Sequence, residues 1–400
     1  MASAEPNKDV DVTVIIPTMN ERETIAECIE RAKKALERMG LKYEIIVSDS
    51  STDDTPEIAQ RHGARVVRPD QLGYGYAYIY ALRYARGKYI IMADGDGTYD
   101  LEEIPKLLQP LMRGEVDIVL GTRLKGKIMP GAMPWLHRYI GNPLLTFMLN
   151  KFYGTKVSDS HSGFRALTRE AIERIRPSAK GMEFATEMLI KAAYAGLRIA
   201  EVPITYHPRK GGQSKLKSFR DGWRHLKILL VLTPKYLYYT PGIAFMIAGI
   251  ALMLAALLRA NLGYSPGIHS SILGGMLAIL GYNLVITGTI ADVYLTYMLG
   301  RPTSRFTVVI YKHFDVERAM LLGAILMTIG AAYLLYLFLI WINSGYRFLP
   351  LRGENVIAFV LLILGLQSIF SGFVFYVLKE AWRNVPRNNY NYNYNLTTPN

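Results

Sequence analysis

Two carboxylates separated by one glycine, Asp94-Gly95-Asp96, are the sharpest chemical signal in this 400-residue chain. They directly follow the apolar run Tyr89–Met92, which predicts a buried strand. Carboxylate oxygens at this spacing suit Mg²⁺ or Mn²⁺, ions that keep some waters and take further oxygens from substrate phosphates. Because acidic turns contain the same pattern by chance, the position after a strand is what favours a metal site.

Basic residues further along the chain would complete a site for a diphosphate. Arg123 follows the strand-like end VLGT, and Arg165 lies in DSHSGFR. Arg209 and Lys215 lie in PRKGGQSKL, where the glycines would let backbone amides approach an anion. Each basic residue alone is most simply surface charge. Together with the carboxylates, they predict stabilisation of a nucleoside diphosphate leaving group.

Alternating strands and helices must position these residues. Apolar runs predict strands at 12–19, 43–47, 65–67, 89–92 and 116–121, and helical spacing predicts helices at 20–38, 74–85 and 101–112 and from residue 55. This alternation indicates an α/β domain with a mainly parallel sheet. Ligands of such sheets bind at the carboxyl ends of the strands, which is where the polar clusters of this chain lie.

The C-terminal part of the chain has a different composition. Residues 1–240 contain 36 Lys+Arg and 28 Asp+Glu, whereas residues 241–400 contain 10 and 5. Uncharged stretches lie at 236–258, 261–291, 319–346 and 355–378. Each is longer than the roughly 20 residues that a membrane-spanning helix needs. Short connectors pair these four predicted helices into two hairpins. The single Cys28 excludes an intrachain disulfide.

Charge and composition predict the domain boundaries. Residues 1–214 form the soluble domain, 215–239 an amphipathic element in the membrane interface, 240–378 the spans and 379–400 a disordered tail. Lys and Arg are concentrated in the central loop and the C-terminal flank, so positive-inside counting places the soluble domain and the tail in the cytoplasm. The net charge of +13 is assigned to phosphate and lipid headgroups, and no nucleic-acid partner is expected.

Seven motifs in one order resemble a known family. VIIPTMNERETI, SDSSTDDTPEIA, ADGDGTYD, GTR, DSHSGFR, EFATEM and PRKGGQSK are similar to those of family 2 glycosyltransferases, which have the Rossmann-like GT-A fold. More narrowly, they resemble the dolichol-phosphate and polyprenyl-phosphate hexose synthases of the membrane-anchored archaeal type. The resemblance covers about residues 11–235, and the membrane region is the weaker part of the match.

The resemblance implies a role for each matching position. The donor nucleotide would contact Pro17, Met19, Glu21, Val47, Asp49, Asp94, Gly95, Asp96, Arg123, Arg209 and Lys215. The catalytic residues would be Asp94, Asp96, Arg123, Arg209 and Lys215. The metal would be held by Asp96 with Asp94, and by Thr98, which stands where the mannose synthases often have Gln. The acceptor phosphate would face Asp159, Ser162 and Arg165.

The implied reaction is an inverting, metal-dependent transfer of one hexose to dolichyl or polyprenyl phosphate at a prokaryotic plasma membrane. GDP-mannose and UDP-glucose are both plausible donors. The acceptor phosphate has a second pKa of about 6, so it is already a nucleophile at neutral pH. One alternative is a processive polysaccharide synthase, although the Q-x-x-R-W motif of those enzymes is absent. Another is a non-catalytic scaffold or flippase with a transferase-like domain. The sequence leaves the oligomeric state open.

Overall fold

A computed structural model describes residues 10–211, 218–260, 263, 265–299 and 303–383. The chain divides into two compact units, Met1–Leu229 and Leu230–Asn400. This division falls inside the predicted interfacial element 215–239, so the structure does not set that element apart as a unit of its own. Residues 384–400 of the predicted tail lie outside the described residues.

Strands and helices alternate along the first unit. In chain order they are β1 (Val12–Thr18), α1 (Ile25–Arg38), β2 (Tyr43–Asp49), α2 (Thr55–Arg61), β3 (Arg65–Val67), α3 (Tyr74–Ala81), β4 (Tyr89–Met92), α4 (Ile104–Met112), β5 (Ile118–Ile128), α5 (Asn142–Tyr153), β6 (Arg165–Thr168), α6 (Arg169–Ile175), α7 (Phe184–Tyr194), β7 (Ile199–Tyr206) and α8 (Ser218–Val231). A 3-10 turn, Leu101–Glu103, precedes α4, and a π-helical turn, His137–Gly141, precedes α5.

The strands form one seven-stranded sheet in the order β3-β2-β1-β4-β6-β5-β7. Strands β1 to β4 pair in parallel, as do β5 and β7. Strand β6 runs antiparallel between β4 and β5. The predicted α/β class and mainly parallel sheet are therefore confirmed. The short strand β6 was not predicted, because four residues beginning with Arg165 carry no clear apolar pattern.

Packing of α1 against the sheet fixes the loop that follows β1. On α1, Ile25, Cys28 and Ile29 repeat at three- and four-residue intervals and are all buried. They pack in one core with Val14 and Ile16 of β1. Since β1 and the start of α1 are both held in this core, the loop between them is anchored at the carboxyl edge of the sheet.

The second unit consists of long apolar helices. In chain order they are α9 (Thr240–Leu257), α10 (Ile268–Leu299), the short α11 (Arg305–His313), α12 (Val316–Asn343) and α13 (Gly353–Arg383). Four segments are long and apolar enough to cross a membrane: Lys235–Leu257, Ile268–Tyr297, Val316–Asn343 and Gly353–Lys379. The prediction of four spans is confirmed, although the second begins seven residues later than its uncharged stretch.

Small residues let the helices of each predicted hairpin approach closely. A Cβ atom at Gly365 of α13 would lie 2.7 Å from the carbonyl oxygen of Gly323 on α12. A Cβ atom at Gly249 of α9 would lie 2.4 Å from the carbonyl oxygen of Gly274 on α10. Backbone contact of this kind is how helices associate where lipid removes the hydrophobic driving force.

We expect Gly365→Leu to destabilise the second unit, because its side chain would overlap the Gly323 backbone rather than a flexible side chain. Overpacking of this kind costs about 1–3 kcal/mol. The midpoint of thermal unfolding, measured on the full chain in nanodiscs, should fall. Phe370→Leu on the exposed side of the same helix is the control and should leave it nearly unchanged. An unchanged midpoint for Gly365→Leu would contradict the close packing of α12 and α13.

Candidate active site

Asp94 and Asp96 follow the end of β4 and are held by different partners. Asp94 Oδ1 accepts hydrogen bonds from the hydroxyls of Tyr74, at 2.9 Å, and Tyr78, at 3.4 Å. Both tyrosines lie on α3, one turn apart, so they reach the carboxylate from the same helix face. Asp96 Oδ1 accepts hydrogen bonds from the Thr98 hydroxyl, at 2.6 Å, and backbone N–H, at 3.1 Å. The two carboxylates are therefore fixed in orientation independently.

The two carboxylates disfavour each other's charge. Burial, followed by the negative charge of Asp96, raises the pKa of Asp94 to about 7, and the tyrosine hydroxyls and Arg123 only partly oppose this shift. A buried carboxylate with a like-charged neighbour is stabilised by a bound cation. This donor set of hard oxygens fits the predicted Mg²⁺ or Mn²⁺.

Arg209 supplies one positive charge at this point. Its Nη2 donates to Glu21 Oε1 at 2.5 Å, and its Nη1 donates to Asp96 Oδ2 at 3.3 Å. Glu21 lies in the loop after β1, so the guanidinium joins that loop to the one after β4. Arg209, which follows the edge strand β7, thus contacts two further residues predicted to bind the donor, and these follow the neighbouring strands β1 and β4.

A metal here would need ligands from elsewhere. Among the described residues, no cluster of three or more His, Cys, Asp or Glu side chains could hold a metal ion. Asp96 and Asp94 would each contribute a carboxylate. The hydroxyl of Thr98 donates a hydrogen bond to Asp96 Oδ1. Oxygen atoms of a bound diphosphate would therefore have to complete the coordination.

The remaining residues predicted for the donor nucleotide are placed unequally. Asp49 ends β2, and its Oδ1 accepts from the Thr18 hydroxyl at 2.8 Å. Pro17 lies near the end of β1, where its pairing with β4 has already ended, and Met19 in the next loop is exposed. Val47 is completely buried in the hydrophobic core. Val47 is therefore a core side chain, although the family resemblance implies that it contacts the donor nucleotide.

Arg123 and Asp159 form a buried ion pair. Arg123 Nε and Nη2 donate to the two Asp159 oxygens at 2.7 and 2.8 Å, and the Arg123 backbone N–H adds a third bond. Burial would raise the pKa of Asp159, but the guanidinium outweighs burial and holds it below its usual range. The family resemblance implies that Arg123 contacts the donor nucleotide and that Asp159 faces the acceptor phosphate, whereas the structure pairs the two residues with each other.

Arg165 stabilises the loop of the DSHSGFR motif from inside. Its guanidinium donates to the backbone carbonyl oxygens of Ser160, Ser162 and Ala185 at 2.7 to 2.8 Å, and the side chain is buried. This arrangement makes Arg165 a support for the loop, although the sequence analysis placed it facing the acceptor phosphate. Lys215, also predicted for the site, lies outside the described residues.

Unpartnered buried polar atoms lie on and near the same loop. Among the described residues of the first unit, these atoms are Ser162 Oγ, His161 Nε2 and Glu183 Oε2. A Cβ atom at Gly163 would lie 2.8 Å from Asp94 Oδ2, so the loop adjoins the carboxylate pair. A buried polar group without a partner costs about 1–3 kcal/mol. Such groups beside a carboxylate pair are typical of a ligand site.

Two histidines near the site were not predicted. The rings of His161 and His225 meet edge to face with centroids 4.4 Å apart, and His225 Nδ1 lies 2.7 Å from the Thr186 hydroxyl. Burial lowers the pKa of both rings, that of His225 to about 4, so both are neutral at pH 7. His161 lies inside a motif already selected. His225 lies on α8, far from His161 in the sequence, so no local sequence pattern could have identified this pair of histidines.

The comparisons with known proteins agree with this architecture. Residues 13–176 match the model of glycosyl transferase family 2, and residues 289–379 match the C-terminal transmembrane region of family 2 glycosyltransferases. A low-salt glycan biosynthesis hexosyltransferase, Agl6 of Haloferax volcanii, is 44% identical over 95% of this chain and 92% of its own length. A dolichyl-phosphate hexose transferase of the same organism is 34% identical over 53% of this chain and 89% of its own length.

A structural neighbour is glucosyl-3-phosphoglycerate synthase of Mycobacterium tuberculosis, solved with Mn²⁺, UDP and phosphoglyceric acid. It has a TM-score of 0.46 and 26% identity, over 55% of this chain and 78% of that chain. The chain belongs to glycosyltransferase family 2, and the family resemblance and the GT-A fold are confirmed. It is a membrane-integrated glycosyltransferase with a C-terminal transmembrane region.

We expect Asp159→Ala to destabilise the first unit, because it leaves the guanidinium of Arg123 buried without its carboxylate. Breaking a buried ion pair in this way costs about 3–5 kcal/mol. The control is Glu102→Ala, which removes a pair with the exposed Lys34 and Arg38 and should change the stability far less. Thermal unfolding of the full-length variants measures both effects. Equal small shifts would show that the Arg123–Asp159 pair does not hold this part of the fold.

Proposed function

We propose that this protein transfers one hexose from a nucleotide sugar to dolichyl or polyprenyl phosphate, with inversion at the anomeric carbon. The observation that carries the proposal is the carboxylate pair Asp94 and Asp96, which Arg209 connects to Glu21 at the carboxyl ends of the strands. The two Haloferax relatives, a hexosyltransferase and a dolichyl-phosphate hexose transferase, support the hexose and the lipid acceptor.

The donor side would bind the nucleotide diphosphate. Asp96 and Asp94 would hold Mg²⁺ or Mn²⁺, which would neutralise negative charge on the departing diphosphate. Arg209 would exchange its contact with Asp96 for one with a phosphate oxygen, while Glu21 keeps its other end in place. Asp49 would face the ribose or base. The Tyr74 and Tyr78 hydroxyls keep Asp94 oriented throughout.

The acceptor side would use the loop around Ser162. Its buried hydroxyl and His161 Nε2 are the unpartnered polar atoms that a phosphate or a sugar hydroxyl could satisfy. Because both histidine rings are neutral at pH 7, His161 would act as a hydrogen-bond donor rather than as a cation. Arg165 and the Arg123–Asp159 pair would hold the loop rigid beneath the ligand.

The chemistry would need positioning more than proton transfer. A lipid monophosphate is already charged at neutral pH, so the reaction requires no strong general base. The protein's task would be to bring two mutually repelling phosphates together and to balance charge on the leaving group. Attack on the face of the sugar opposite the diphosphate would give a β-linked product.

The membrane helices account for the acceptor. A polyprenyl tail stays in the bilayer, so the four spans keep the enzyme where the lipid phosphate lies. The distribution of Lys and Arg supports a cytoplasmic location for the catalytic domain, at the plasma membrane of a prokaryotic cell. Nucleotide sugars are made in the cytoplasm.

We expect purified full-length protein in nanodiscs to transfer radiolabelled mannose from GDP-mannose, or glucose from UDP-glucose, to dolichyl phosphate. EDTA should abolish transfer, and Mg²⁺ or Mn²⁺ should restore it. Asp96→Ala should also abolish transfer, since it removes the carboxylate that faces the cation position. Asp117→Ala, a surface carboxylate paired with exposed Arg198, is the control. Full activity of Asp96→Ala with Mg²⁺ present would refute this site.

The product separates the proposal from its alternatives. One sugar on the lipid phosphate supports it, a growing polymer indicates a processive polysaccharide synthase, and absence of both transfer and donor hydrolysis indicates a non-catalytic membrane protein. Thin-layer chromatography of the extracted lipids distinguishes these products.

We expect Ser162→Ala to raise the KM for dolichyl phosphate and to leave the KM for the nucleotide sugar nearly unchanged, because the hydroxyl lies on the acceptor loop. Losing one hydrogen bond to a charged phosphate costs about 1.5–3 kcal/mol, which corresponds to a rise in KM of roughly 10-fold or more. Steady-state kinetics with each substrate varied in turn measure this. An equal rise in the KM for the nucleotide sugar would show that Ser162 does not act on the acceptor alone.

A further inference from the structure

An amphipathic segment of the first unit has an exposed apolar face that the site does not use. The segment comprises the π-helical turn His137–Gly141 with the residues just before it, followed by α5, Asn142–Tyr153. Six large apolar side chains on it are between 45% and 66% exposed: Trp135, Leu136, Tyr139, Ile140, Leu144 and Phe147. Its other side is anchored in the fold by buried Thr146 and Leu149. We call these six exposed residues, two on α5 and four just before it, the apolar face of α5.

The charge of this region has one sign. Residues 135–153 contain Arg138 and Lys151 and no Asp or Glu. The guanidinium of Arg138 lies over the ring of Tyr139 at 5.3 Å, and the ammonium of Lys151 lies over the ring of Phe147 at 5.8 Å. Aromatic rings with cations beside them suit the headgroup layer of a bilayer, where rings enter the acyl boundary and cations meet anionic headgroups.

The apolar face of α5 is connected to a second amphipathic helix. The hydroxyl of Tyr153, the last residue of α5, donates to the backbone carbonyl oxygen of Leu229 on α8 at 2.7 Å. Helix α8 lies in the segment predicted to rest in the membrane interface, and it exposes Trp223. Along the chain, α8 is followed by the first candidate span, Lys235–Leu257.

We propose that the apolar face of α5 inserts into the headgroup region of the bilayer that the four spans cross, as a second membrane contact of the first unit. The occupant is an anionic lipid surface rather than another protein, because exposed aromatic side chains lie beside Arg138 and Lys151 on a segment that has no acidic residue. The contact goes beyond the sugar-transfer function and does not depend on it.

Depth-sensitive spin labelling of the full chain in nanodiscs rich in phosphatidylglycerol tests the proposal. Cys28 is the single native cysteine, and burial raises the pKa of its thiol to about 12, so it does not compete for the label. Labels go on Phe147→Cys and, as a second site on the same face, Leu144→Cys. Met112→Cys is the matched control, since Met112 is an exposed apolar residue at the end of α4, outside the segment.

The readout is the ratio of collision rates with oxygen, which concentrates in lipid, to those with a nickel chelate, which stays in water. We expect this ratio to be several-fold higher at Phe147→Cys and Leu144→Cys than at Met112→Cys. Ratios equal to that of Met112→Cys would overturn the proposal, because the face would then be in water. Low collision rates with both reagents would also overturn it, since a protein would then cover the face. Thermal unfolding midpoints matching that of the unlabelled chain show that each labelled variant is folded.

Discussion

Repulsion between two carboxylates is the constraint on which the site depends. Asp94 and Asp96 follow β4 with one residue between them, and burial of Asp94 together with the charge of Asp96 raises the pKa of Asp94 to about 7. The surrounding groups keep the pair in place: Tyr74 and Tyr78 donate to one carboxylate, and Arg209 pairs with the other. A site built in this way is stabilised by a bound cation, which would offset the charge of the two carboxylates.

The rest of the first unit serves to bring loops to this point. The core between β1 and α1 fixes the loop that carries Glu21, and Arg209 connects that loop to Asp96. The Arg123–Asp159 pair and the carbonyl contacts of Arg165 fix the loop that carries Ser162. Rigid support of this kind suits a reaction in which orientation and charge neutralisation, rather than proton transfer, lower the barrier.

Much of this architecture could be predicted from the sequence, because its signals are local. Four uncharged stretches predicted the spans, and apolar runs predicted β1 to β4 and the start of β5. Asp96, Glu21 and Arg209 were identified by motifs, and Arg209 contacts the other two in the structure. The antiparallel β6, the pairing of Arg123 with Asp159 across 36 residues, and the contact of His161 with His225 were not predicted. These features depend on contacts between distant residues, which spacing does not reveal.

We propose that the protein and the nucleoside diphosphate coordinate the metal together, and a measurement of Mn²⁺ binding tests this. Among the described residues no group of three or more His, Cys, Asp or Glu side chains could hold a metal ion, so we expect the protein alone to bind Mn²⁺ weakly and a nucleoside diphosphate to complete the site. Electron paramagnetic resonance of free Mn²⁺, titrated against the full-length protein, measures this affinity. The account predicts tight binding only when GDP or UDP is present, and its loss in Asp96→Ala. Equal Mn²⁺ affinity with and without nucleotide, or unchanged binding by Asp96→Ala, would contradict it.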